Sequence, residues 1–212
     1  MTSCYSKQEK IAFIHVPKCA GTAISNYLIK VLNYIPISND HYSTNIQDYS
    51  VMLADDYRTL SRSIDPFDYL IVGVIRNPVT WLWSGYNFMK YDINLNVSFE
   101  QYIKYVLSPI DFLKKCYSEN KTNYQVIFSN FYWHCCNLPD SRLPKHAKIF
   151  KYEKLYELED YFKIQIPKKH YIEPEEFPPK AKKLKRISNI EKELIIKLSE
   201  NYMKKWDYDF NI

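Results

Sequence analysis

At 212 residues, with 46% hydrophobic and 17% aromatic side chains, the chain can bury one sizeable core, which excludes global disorder. A formal net charge of +5, from 29 basic and 24 acidic residues, is too mild and too mixed for general nucleic-acid binding and suits a small anion or an acidic substrate. No apolar run approaches the length that spans a bilayer, and the polar stretch Met1 to Lys10 holds no signal-like segment, so a soluble protein is expected.

The first predicted element is a buried strand over Ile11 to Val16, stopped by Pro17. Lys18-Cys19-Ala20-Gly21 forms a small-residue turn in which Ala20 and Gly21 let the backbone approach a ligand. Thr22 is placed to cap a helix starting near Ala23, whose inward face carries Ile24, Tyr27, Leu28, Val31 and Leu32. Between Pro36 and Asp65 the sequence turns polar, with a loop at Asn39-Asp40-His41 and a possible helix from Ile46 to Leu60. Tyr69 to Ile75 is apolar throughout, as a central parallel strand covered on both faces would be. It ends in Arg76-Asn77-Pro78, and helical spacing resumes with Val79, Leu82, Trp83 and Tyr86. Ser98 to Gln101 has the form of a capping box that opens a helix closed by Pro109. A further helical pattern covers Tyr124 to Cys136, Pro139 and Pro144 bracket a loop, and Ala147 to Tyr152 is a short strand followed by a helix over Leu155 to Phe162. Pro167 to Pro179 is irregular. A second capping box at Ser188 to Glu191 starts the last helix, with Ile190, Leu194, Leu198, Tyr202 and Trp206 on its buried face.

Strand, polar turn and helix thus occur twice in succession. That repetition predicts a single α/β domain over residues 1–212, with a mostly parallel central sheet between helices in a P-loop-like three-layer arrangement. Each turn suits an anion. The first sets a lysine beside the free amides and positive end of a helix, and the second supplies the planar donor fork of Arg76 with Ser84 on the next helix. Lys18 is not a Walker A lysine, because Pro17 precedes it and Cys19 follows where that motif has glycine and a magnesium-binding hydroxyl. No strand ends in a Walker B carboxylate either. The pair of cradles therefore fits an anion that reacts without a metal, and a sulfuryl group needs less neutralisation than a terminal phosphoryl group.

Taken together, His15 to Thr22 and Val74-Ile75-Arg76-Asn77-Pro78 with Ser84 and Tyr86 resemble the two donor-binding motifs of the sulfotransferases that use 3′-phosphoadenosine 5′-phosphosulfate (PAPS). The similarity is greatest to the carbohydrate sulfotransferases of the Golgi. It implies that Lys18, Cys19, Ala20, Gly21, Thr22 and Ala23 bind the 5′-phosphosulfate, with Lys18 and the amides of Gly21 to Ala23 as donors. It also implies that Arg76 and Ser84 hold the 3′ phosphate. Phe150 to Leu155 and Tyr202 to Phe210 resemble later segments of the family. Thr80 and Trp81 depart from it where an acidic residue and a second arginine are frequent, and the chain lacks the membrane anchor of the Golgi members.

Sulfuryl transfer needs a cation at the leaving oxygen, for which Lys18 is the choice, and a base for the acceptor hydroxyl. His41 is preferred as base because it lies between the two motifs, where related carbohydrate sulfotransferases place a histidine. Asp40 and Asp48 are the carboxylate alternatives, and His15, His134, His146 and His170 are the other histidines. His134-Cys135-Cys136 lacks the spacing of a zinc site, so no metal is expected. Five cysteines without framework spacing point to reduced thiols and a cytoplasmic location, where the glycosylation patterns at Asn96 and Asn120 have no use. The run Lys180 to Arg186 is a solvated basic face or a cover for the donor phosphate.

The sequence thus points to sulfuryl transfer from PAPS to a hydroxyl, on the resemblance a carbohydrate. Two rivals differ in class: a magnesium-dependent P-loop kinase, and a non-catalytic module that binds an anionic glycan or RNA through the basic run.

Overall fold

The computed structural model describes residues 3–37, 64–91, 94–119, 131, 137–166 and 186–210. They fall into two compact units, a sheet unit of Met1–Arg76 with Pro139–Glu176 and a helical unit of Asn77–Leu138 with Phe177–Ile212.

In the sheet unit, β1 (Cys4–Ser6) and β2 (Ile11–Ile14) form an antiparallel hairpin, with Cys4 opposite Phe13. A short strand β3 (Ile35–Pro36) pairs antiparallel with the outer side of β1. On its other side β2 runs parallel to β4 (Leu70–Ile75), and β4 runs parallel to β5 (Lys148–Lys151). The order is β3-β1-β2-β4-β5, so the sheet is parallel at its centre and antiparallel on the β1 side. This qualifies the mostly parallel sheet expected from the sequence. The polar N-terminal stretch conceals β1, whose Cys4 is fully buried because the strand is paired along both edges.

Both central strands are as apolar as their position demands. Phe13, Ile14, Ile71, Val72 and Ile75 are completely buried. Gly73 lies where a Cβ would meet the Leu143 side chain at 2.3 Å, so the strand leaves room there for the residue that follows the 3-10 turn Pro139–Arg142. The first helix, α1 (Gly21–Lys30), follows β2 and buries Ile24 and Leu28. It stops at Lys30, which leaves Val31 half exposed at its C-cap rather than on the inward face.

The helical unit contains α2 (Pro78–Tyr91), α3 (Phe99–Leu107) and α4 (Pro109–Ser118). Pro109 does not merely close α3. It opens α4 at a position where a missing amide hydrogen costs nothing, and Cys116 is buried within that helix. Ser98 Oγ accepts the Gln101 amide at 3.1 Å and caps α3. Trp83, Tyr86, Phe99 and Tyr102 make edge and tilted ring contacts, and Phe131, the only described residue of the pattern Tyr124 to Cys136, stacks on Phe112 at 4.0 Å.

Two helices occur where the sequence places them. In the sheet unit α5 (Leu155–Phe162) follows β5, and in the helical unit α6 (Asn189–Trp206) begins at a complete capping box between Ser188 and Glu191. The buried face of α6 is rotated from the expected one: Ile195, Ser199, Tyr202 and Met203 are inside, whereas Ile190 is 54% exposed. The possible helix Ile46 to Leu60 and the irregular stretch Pro167 to Pro179 lie outside the described residues.

Candidate active site

Because β2 and β4 are adjacent and parallel, the residues that follow them emerge side by side at one edge of the sheet, the usual place for a ligand in an α/β fold. The strand β2 ends at Ile14, two residues earlier than its apolar run suggests. His15 and Val16 continue buried into a tight turn closed by Cys19 N donating to Val16 O at 3.3 Å.

The loop holds two non-glycine residues in the left-handed region, Lys18 at φ 63° and Ala20 at φ 60°. Such residues cost about 1–3 kcal/mol each and persist where neighbouring structure over-determines them, a pattern common at binding sites. Gly21 is not in that region. Thr22 does not cap the helix either. The N-cap position is Ala20, with no side-chain bond, and Thr22 lies in the first turn. The first helical hydrogen bond, Ile24 N to Ala20 O at 3.1 Å, leaves the amides of Gly21, Thr22 and Ala23 ahead of the helix's own ladder. No acidic side chain of the helix itself occupies that turn, which leaves the positive end of its dipole to favour an anion.

The second stretch reaches the first through one side chain. Arg76 Nη1 donates to the carbonyl oxygen of Lys18 at 3.0 Å, and its guanidinium stacks 4.1 Å from the ring centre of Tyr152. Residues far apart in sequence are thereby joined at the same edge. Tyr152 belongs to a segment that sequence similarity singles out, but nothing in the sequence indicates that it lies under Arg76. Arg142 was missed altogether: it is buried at the end of the 3-10 turn, and its charge acts on both His15 and Cys19. A lone arginine between two prolines carries no pattern that would reveal this.

Cys19 is fully buried, and burial pushes its thiol up to about 12 despite the nearby Arg76, so it contributes shape rather than a thiolate. Asn77 serves the helical unit: its Oδ1 accepts the Val79 amide and its Nδ2 donates to Asp209 O, both at 2.9 Å. Thr80 Oγ1 donates to Asn77 O at 3.1 Å and Trp81 is buried, which accounts for uncharged residues at these positions. Ser84 is half-buried on α2, in the helical unit.

Of the five histidines, His15 and His146 are described, whereas His41, His134 and His170 lie outside the described residues, as do Asp40, Asp48 and Lys180 to Lys185. His146 is exposed in the turn before β5, stacked on Phe67 before β4, and therefore sits at the opposite edge of the sheet from Lys18 and Arg76. His15 is buried and neutral, its pKa lowered to about 3 by burial and by the charges of Arg142 and Lys18. An unfolded histidine takes up its proton near pH 6.5, so this group favours folding above that pH and the advantage is lost as pH falls from about 6.5 toward 3. Urea midpoints measured between pH 8 and 4 are expected to drop below about pH 6.5, and the drop should be shallower in His15→Gln. Equal pH slopes in the two proteins would refute the assignment.

A sequence model described as the sulfotransferase family matches residues 2–212, nearly the entire chain, and the chain belongs to that family. No curated protein and no solved structure matches it. Among the described residues no helix is long and apolar enough to cross a membrane, and no three His, Cys, Asp or Glu side chains group as metal ligands would.

Proposed function

We propose that the protein transfers the sulfuryl group of PAPS to the hydroxyl of an acceptor, and that the acceptor is a carbohydrate. Family membership supports sulfuryl transfer. The single observation that most supports the donor is the Arg76 to Lys18 hydrogen bond, which ties the two anion-binding stretches into one place. A donor with phosphate groups at both its 3′ and 5′ positions needs two cradles. The amides of Gly21, Thr22 and Ala23, with Lys18, Cys19 and Ala20 shaping the loop, would take the 5′-phosphosulfate. Arg76, and Ser84 as the resemblance implies, would take the 3′ phosphate.

In the proposed reaction an acceptor oxygen attacks sulfur in line as the bond from sulfur to the 5′-phosphate oxygen breaks. Adenosine 3′,5′-bisphosphate leaves, its new charge is met by the Lys18 ammonium, and the acceptor proton passes to a base, for which His41 remains the proposal. No metal is required for charge of this size. The whole chain, 1–212, is proposed as one sulfotransferase-like domain on a three-layer P-loop-like plan, which the extent of the family match supports.

Calorimetric titration separates this reading from a kinase. Adenosine 3′,5′-bisphosphate without metal is expected to bind more tightly than ATP with magnesium, and the reverse order would refute the proposed donor. Incubation with labelled PAPS and a panel of glycans, lipids, peptides and small alcohols then identifies the acceptor, and label in a non-carbohydrate alone would overturn the acceptor class.

A further inference from the structure

We infer that His15 is a positioning residue of the loop, a flat wedge against Gly21 that sets where the first turn of α1 presents its amides. The inference rests on the loop being the donor site. A Cβ at Gly21 would lie 2.0 Å from Cδ2, 2.7 Å from Nε2 and 2.9 Å from Cγ of His15, distances that no side chain tolerates. Since Gly21 is outside the left-handed region, glycine is required here for space and not for its backbone freedom.

The ring has little room to withdraw. His15 is 3% exposed, its amide donates to Ser3 Oγ at 3.0 Å, and the tight turn at Val16 to Cys19 follows directly. Its Nδ1 is buried and makes no hydrogen bond among the described residues. A side chain that only filled space would not leave a polar atom in that state, and buried unsatisfied groups are rare enough to mark a residue kept for another reason. The reason lies in the loop. Lys18 and Ala20 are both left-handed, and each has a brace: Arg76 holds the carbonyl of the first, and His15 packs on the residue that follows the second. Without the wedge the peptide between Ala20 and Gly21 is free to relax, and the amides of Gly21 to Ala23 move with it.

The test uses the full chain, titrated with adenosine 3′,5′-bisphosphate while thermal unfolding is followed on the same samples. Gly21→Ala is expected to weaken binding by about ten- to a hundredfold, as small displacements of positioning groups do. The double variant His15→Ala/Gly21→Ala, in which the methyl enters vacated space, should bind better than Gly21→Ala alone, so the two losses do not add. Additive losses, or normal affinity in Gly21→Ala, would overturn the inference. Should Gly21→Ala not fold, His15→Gln decides: a folded protein with about tenfold weaker binding upholds the wedge, and a lower unfolding temperature with unchanged affinity overturns it. Arg76→Ala separates the two levels. If it binds normally the donor site itself is misplaced, whereas if it binds weakly and Gly21→Ala binds normally, only the wedge falls.

Discussion

Lys18→Ala is expected to reduce the rate of sulfuryl transfer by at least about 10²- to 10³-fold, the scale on which loss of one preorganised group at a developing negative charge is felt. The effect should appear mainly in kcat, because charge on the leaving phosphate oxygen grows only as the bond to sulfur breaks. A control is available in the backbone. Lys18 sits at φ 63°, a conformation that suits glycine, so Lys18→Gly removes the ammonium while relieving local strain. It should fold at least as well as the parent and be as inactive as Lys18→Ala. Substantial turnover in Lys18→Gly, measured with labelled PAPS and any accepted alcohol, would show that the ammonium is not the group that meets the leaving oxygen.

The second large effect is expected at Arg76, and it is a double one. Its guanidinium carries one of the proposed phosphate contacts, and hydrogen bonds to charged groups are worth about 1.5–3 kcal/mol, so Arg76→Ala should weaken adenosine 3′,5′-bisphosphate binding by about 10- to 150-fold. Sequence alone would end the prediction there. The bond from Nη1 to Lys18 O adds a loss of kcat, since the same substitution unties the carbonyl of the residue proposed to act in catalysis. Arg76→Lys should rescue neither effect well, because a single ammonium cannot donate to that carbonyl, sit over the Tyr152 ring and offer a bidentate fork to a phosphate all at once. Affinity within about threefold of wild type in Arg76→Lys would contradict the need for a planar fork.

These expectations also show how much was legible beforehand. The stretches proposed to carry chemistry are set apart by local pattern: an apolar run, a small-residue turn with a lysine, then helical spacing, and the same order again at Arg76. The ends of α5 and the capping box of α6 were legible for the same reason, since caps and periodicity act over three or four residues. What local pattern did not reveal depends on pairing across the sheet or on packing between helices. Neither β1 nor β3 has a run of its own, and they are strands because β2 offers an edge to β1 and β1 offers one to β3. Pro109 illustrates another limit, because one residue both ends α3 and begins α4, and the sequence reading allowed it only the first role.

By itself, then, the sequence determined that two apolar strands are each followed by a turn with a basic residue and then a helix, and that neither turn has the Walker residues of a magnesium site. Those properties belong to contiguous residues and their backbone preferences. Tertiary structure alone decided that the two turns meet, because only parallel pairing of β2 with β4 brings Arg76 to the carbonyl of Lys18. It also decided the meaning of Gly21. In the sequence that glycine lets the backbone approach a ligand, but in the fold its missing side chain is also the space that His15 occupies. The physical reason is the same in both cases: a contact between residues brought together by folding is fixed by the geometry of strands and turns, which no local pattern encodes.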